Sequence, residues 1–122
     1  MKLLKNTVLM SLIALSGATS VYAADSHPVI EVVTLKIKPG VSFEEFKKID
    51  KAVEDQHVSK QPGFISRESA AGQNQEWLVI VHWRSVEDAD ASMNSFTSAP
   101  AAGKFMQSID SASMKMTRYQ AP

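Results

Sequence analysis

From Val29 the chain reads VIEVVTLKIK, placing Val29, Val33, Leu35 and Ile37 in one phase of a two-residue alternation and Ile30, Val32, Thr34, Lys36 and Lys38 in the other. The alternation predicts a first strand, ended by Pro39-Gly40. Ser42, followed three residues later by Glu45, has the spacing of a capping box, which satisfies the first free amides of a helix. Phe46, Ile49 and Val53 then recur at helical spacing, with Phe43 near the start, and predict a helix running to about Val58. Glu44, Lys47, Lys48, Lys51 and Glu54 mark its wet side. Lys60-Gln61-Pro62-Gly63 predicts a turn, Phe64 to Ala70 a second strand, and Glu76 to Trp83 (EWLVIVHW) a central third strand. Ser85 predicts the cap of a second helix whose inner stripe is Val86, Ala89, Met93 and Phe96. Pro100 breaks that pattern. A short helical turn from Lys104 to Ile109, with Phe105, Met106 and Ile109 inward, then leads to a last strand over Ser113 to Tyr119.

The order β-α-β-β-α-β is that of an α+β, ferredoxin-like fold, a four-stranded antiparallel sheet carrying two helices on one face. On the third strand Trp77, Val79, Val81 and Trp83 oppose Leu78, Ile80 and His82, so both faces of the sheet are too apolar for water. A second copy of the same sheet is the simplest cover for the open face, and a homodimer is expected.

Residues 1–23 carry Lys2 and Lys5, an apolar stretch from Val8 to Leu15, and a small-residue end at Val21-Tyr22-Ala23. These are the three parts of a secretory signal peptide. The stretch is far shorter than the roughly 20 residues of a spanning helix. Cleavage is expected after Ala23, leaving one domain over residues 24–122, secreted or periplasmic and without a membrane anchor. The chain has no Cys, so disulfides, thiolate metal sites and thiol catalysis are excluded. Thirteen basic and thirteen acidic side chains balance, which gives no reason to expect a nucleic-acid partner.

Lys38-Pro39-Gly40, Gln61-Pro62-Gly63-Phe64-Ile65, Trp83-Arg84-Ser85 with Glu87, Asp88 and Ala89, and then Pro100 and Phe105, resemble the antibiotic biosynthesis monooxygenase-like domains of the dimeric α/β-barrel superfamily. The resemblance covers essentially all of the expected mature chain. It implies a dimeric α/β barrel with a cavity between sheet and helices. The family's enzymes oxidise aromatic polyketides or quinols without a cofactor, or open haem; other members have no assigned activity. The haem-opening members use an Asn, a Trp and a His together. Here the only Asn residues after the signal are Asn74, in the hairpin loop, and Asn94, on the second helix, which does not supply that trio.

Among candidate catalytic groups, His82 lies within the apolar third strand, where a neutral imidazole can accept a proton or serve only as a hydrogen-bonded interface residue. His57 follows Val53 by one helical turn, and the helix end there favours its protonated form. Arg67 and Arg118 can fork around a carboxylate, phenolate or quinone oxygen, or be neutralised by Glu68 or Glu31 across the strands. Phe46, Val53, Trp77, Trp83, Met93 and Tyr119 are candidate ligand contacts whose ordinary role would be core or interface. Met114 and Met116 offer an adaptable surface. His27, His57 and His82 lack metal-ligand spacing, so no metal is expected.

Two function classes follow: a cofactor-independent monooxygenase for a small aromatic or quinol-like substrate, with His82 or His57 as base and Arg67 on the oxyanion, or a non-catalytic module. The module would bind a hydrophobic or haem-like ligand, or serve dimerisation alone.

Overall fold

The computed structural model describes residues 27–122, so the expected signal segment and its cleavage point lie outside the described residues. Strand β1 spans Val29–Ile37, helix α1 Phe43–Gln56, β2 Phe64–Ala71, β3 Glu76–Trp83, α2 Val86–Phe96, α3 Pro100–Gln107 and β4 Ile109–Gln120. The sheet order is β2-β3-β1-β4, with every neighbouring pair antiparallel, as in a ferredoxin-like fold.

The local chemistry accounts for the element ends. Ser42 Oγ accepts the Glu45 amide at 3.1 Å and Ser85 Oγ accepts that of Asp88 at 3.1 Å, caps of a kind worth about 1 kcal/mol each. Gly63 turns the chain into β2 at φ +81°, and a Cβ there would lie 2.1 Å from Asp88 Oδ2. Only glycine combines that backbone conformation with that approach.

The phase of β1 that begins at Val29 and the Trp77 phase of β3 pack under the helices. Phe46 from α1, Ala89 from α2 and Phe105 from α3 join them, Phe46 meeting Trp77 edge-on at 5.1 Å and Phe105 at 5.2 Å between centroids. Ile30, Val32, Leu78, Ile80 and His82, in the opposite phase, are only half-buried.

Three expectations need correction. The third helix begins at Pro100, four residues before the expected turn, because proline is favoured at a first helical position, where its missing N–H costs no bond. The last strand begins at Ile109, since pairing with Lys36 and Ile37 beyond a register shift near Leu35 extends it past its local pattern. On α2, Val86 is exposed and Ser92 is buried. Helix α1 ends at Gln56, and a 3₁₀ turn over Val58–Lys60 completes the connection.

Candidate functional site

A cavity of about 70 Å³ lies between the sheet and the helices. Its apolar wall includes Val33, Val53, Val79, Val81, Trp83, Met93, Phe96 and Met114, and its ionisable lining residues are Glu31 and Arg67. Both charges sit in the inward phase of their strands, which explains their burial: Arg67 pairs with Val81 on β3, and Glu31 shares the phase of Val29 and Val33.

Arg67 is held by α1. Its Nη2 donates to Asp50 Oδ1 at 2.7 Å and its Nη1 to Asp50 Oδ2 at 3.0 Å, a bidentate pair in which the side chains are 3% and 6% exposed. Glu54 lies 3.5 Å from Nη1, and Ser69 Oγ donates to Asp50 Oδ2 at 2.6 Å. Its Nε, also buried, has no hydrogen-bond partner among the described residues. A buried donor without an acceptor costs about 1–3 kcal/mol, so this is a place where an incoming oxygen atom would be stabilised.

Glu31 is held from the other side. Its Oε2 accepts Arg118 Nε at 2.9 Å and its Oε1 accepts Trp83 Nε1 at 3.4 Å, while Arg118 Nη1 also reaches Asp90 on α2. Burial works against the Arg118 charge, but the hydrogen bonds and attraction of Asp90 and Glu31 more than offset it and raise its pKa. Of the cross-strand neutralisations expected, Glu31 with Arg118 is present, whereas Arg67 turns to Asp50 and Glu54 on the helix rather than to Glu68.

His57 adjoins the cavity. Val58 follows it in the chain, and its ring meets that of Phe96 edge-on at 6.0 Å; both neighbours line the cavity. Its Nε2 lies 2.8 Å from Ser95 Oγ. With the Ser95 hydroxyl donating to the Ser92 carbonyl at 3.1 Å, Nε2 is the protonated nitrogen and Nδ1 carries the lone pair; with that hydroxyl donating to Nε2, the two roles exchange. That Nδ1 is buried and without a partner among the described residues. The expectation of a protonated His57 is corrected: burial lowers its pKa, outweighing the pull of the helix end, so the ring is neutral near pH 7.

His82 is elsewhere. It pairs with Ile30 and Ser66 in the open-face phase of the sheet, across the strand from the cavity-lining Val81 and Trp83. Tyr119, also paired with Ile30, is 56% exposed. Val53, Trp83 and Met93 line the cavity, while Phe46 and Trp77 belong to the core beside it. The structure thus brings Arg67, Val53, Trp83 and Met93 together in the cavity lining, with His57 beside it, and separates His82 and Tyr119 from them.

Sequence reasoning passed over Asp50 and gave Glu31 only a neutralising role. The signal was present: Asp50 interrupts the stripe of Phe46, Ile49 and Val53, and a carboxylate in an apolar stripe implies a buried partner.

The antibiotic biosynthesis monooxygenase family model matches residues 28–108. Among solved structures, the chain is similar to SnoaB, a cofactor-independent oxygenase from Streptomyces nogalater, at 14% identity and TM-score 0.65, covering 80% of this chain and 95% of that one. It is similar also to a putative antibiotic biosynthesis monooxygenase from Caulobacter crescentus, at 15% identity and TM-score 0.65, covering 80% and 92%. A third, from Nitrosomonas europaea, gives 14% identity and TM-score 0.63, with coverage of 80% and 92%. Such identities show a shared fold. No curated protein matches the sequence.

Proposed function

The chain belongs to the antibiotic biosynthesis monooxygenase family, and from that premise we propose that it is a cofactor-independent oxygenase, exported and dimeric, acting on a small aromatic or quinol-like substrate. The observation that carries the proposal is an apolar cavity with two unpartnered buried nitrogens near it, on Arg67 in its lining and on His57 beside the lining residues Val58 and Phe96. In this reading His57 takes a proton from a methylene activated by a ring carbonyl, and Arg67 Nε–H stabilises the oxyanion. The carbanion reduces dioxygen to a hydroperoxide, which loses water to leave a new carbonyl: one CH2 and one O2 become one C=O and one H2O. The apolar wall of Val33, Val79, Val81 and Met114 keeps water from quenching the carbanion.

The cavity is about half the ~150 Å³ of one known to hold benzene, so an aromatic substrate must widen it on entry. The half-buried Ile30, Val32, Leu78 and Ile80 support the dimer, because a second sheet would remove them from water.

The test is oxygen uptake and product mass with anthrone- and quinol-type substrates, comparing the parent chain with His57→Gln. Uptake that drops at least tenfold in the variant supports the reading; equal uptake, or none with any substrate, sinks it. Native mass spectrometry of exported material reads the dimer and the start at Ala24.

A second reading is favoured by one observation. Arg67 and Glu31 are already neutralised by Asp50 and Arg118, which suits a chamber that holds a neutral hydrophobic ligand without reacting. Retention of a ligand with no oxygen uptake would select it.

A further inference from the structure

His82 is the candidate base that the cavity does not use. It stands half-buried in the open-face phase of the sheet, between Ile30 on β1 and Ser66 on β2 and two residues from Ile80 on its own strand. The middle of that face is formed on the two central strands by Ile30, Val32, Thr34, Leu78, Ile80 and His82, all half-buried. All but His82 are uncharged at every pH, and only His82 gains a charge as its surroundings turn from neutral to mildly acidic.

The charged side chains of the face stand at its rim and are exposed. Arg84 lies two residues along from His82, and Glu68 lies diagonally from it on β2, where it pairs with Ile80. Lys36, Glu76 and Lys115 are at the far end. On β1 the neighbour is Ile30, and the titratable group next beyond it is Tyr119 on β4. The helices join the core on the other face of the sheet.

We propose that His82 makes the dimer acid-sensitive: a second copy buries the neutral imidazole in an apolar contact, and protonation drives the two copies apart. The proposal rests on the dimer reading above and adds its regulation. The second copy is the occupant that the face itself fits, because a twofold axis sets the same patch on both subunits. An apolar centre is self-complementary in that arrangement, and a rim carrying both signs meets its copy without uniform like-charge repulsion.

The direction follows from linkage. In the separate chain the half-buried imidazole still reaches water, which solvates its charged form. The second copy removes that water, and the charged form then lies among Ile30, Ile80 and Ser66, which carry no counter-charge. Glu68 is the carboxylate placed to oppose this, but it is exposed at the rim, where an ion pair is weak, and Arg84 acts in the opposite sense. The separate chain therefore binds more protons than the dimer, so the dimer holds above the ordinary histidine range near pH 6.5 and is lost as the pH falls below it. For a histidine excluded from protonation, the shift at pH 5.5 is about tenfold per subunit, and the two subunits compound it.

The experiment is sedimentation equilibrium of the mature chain at pH 7.5 and pH 5.5 at constant salt, with circular dichroism to verify the fold at both. The expected result is a dimer dissociation constant at least tenfold higher at pH 5.5 in the parent chain and changed less than twofold in His82→Gln. His82→Leu, which keeps the face apolar at both values, should dimerise with the same indifference to pH. His57→Gln, on the helix side of the sheet, should keep the parent's full response. An affinity that does not change with pH, that rises on acidification, or that responds as before in both His82 variants overturns the switch and leaves the dimer. So does a response that disappears in His57→Gln, since acid then acts through the fold and not through the face. A parent chain that is monomeric at pH 7.5 at every concentration overturns the dimer and the switch together.

Discussion

The two arginines beside the cavity hold similar partners in very different surroundings. Arg67 and Asp50 form a nearly dry, bidentate pair supported by Ser69 and Glu54. Arg118 is 20% exposed and divides its donors between buried Glu31 and Asp90, which is 57% exposed. An ion pair taken out of water is costly to half-remove, whereas one at the surface contributes little. The α1 wall is therefore a fixed brace and the α2–β4 wall a weak closure. If the cavity widens to take an aromatic ring, it does so beside Arg118.

The largest effect expected is that of Arg67→Ala, which strands the Asp50 carboxylate in the interior and should cost about 3–5 kcal/mol in urea unfolding. A loss below about 1 kcal/mol would mean that water reaches Asp50 and that the two walls are alike. Glu31→Gln comes next, at about 1–3 kcal/mol, because the Arg118 guanidinium loses its buried counter-charge while Trp83 can still find an acceptor. Chemical denaturation of the two variants side by side ranks the walls.

His57 joins the two sides through Ser95, and its contribution depends on pH. Its folded-state pKa lies below the ordinary value near 6.5, so the unfolded chain binds the proton more readily. The stability it provides is present above pH 6.5 and is lost as the pH falls through the lowered folded-state value. The urea midpoint should fall between pH 7 and pH 5, and His57→Gln should flatten that fall; an unchanged slope in the variant would assign the acid sensitivity to the carboxylates.

The smallest effect belongs to Asp90→Ala, less than about 1 kcal/mol. Its sharper signature is local. Amide exchange should quicken along α2 and not along α1, and equal exchange in both helices would remove the distinction between brace and closure.

The strands and the first two helices were legible because their signals are local. EWLVIVHW is a nearly unbroken run of apolar, strand-favouring residues, and Ser42 and Ser85 cap where their spacing to Glu45 and Asp88 says they should. The early start of β4 was not legible, since Ile109 and Asp110 become strand through pairing with Ile37 and Lys36, which lie more than seventy residues away. The site divides in the same way. That Arg67 and His57 were worth attention followed from residue type and position, but whether His82 or His57 faces the helices depends on strand phase and helix end together. Residue type also could not say which carboxylate an arginine takes, and Asp50, one face of a helix away from the strand pattern, won over Glu68.

Gly63 ties two distant parts of the chain at one point, with the entry to β2 lying against Asp88 in the first turn of α2 and its carbonyl accepting the Arg84 amide at 2.8 Å. A side chain at position 63 would have to displace Asp88 and adopt an unfavourable backbone at once. The hairpin and α2 therefore keep their mutual position only while that residue has no side chain.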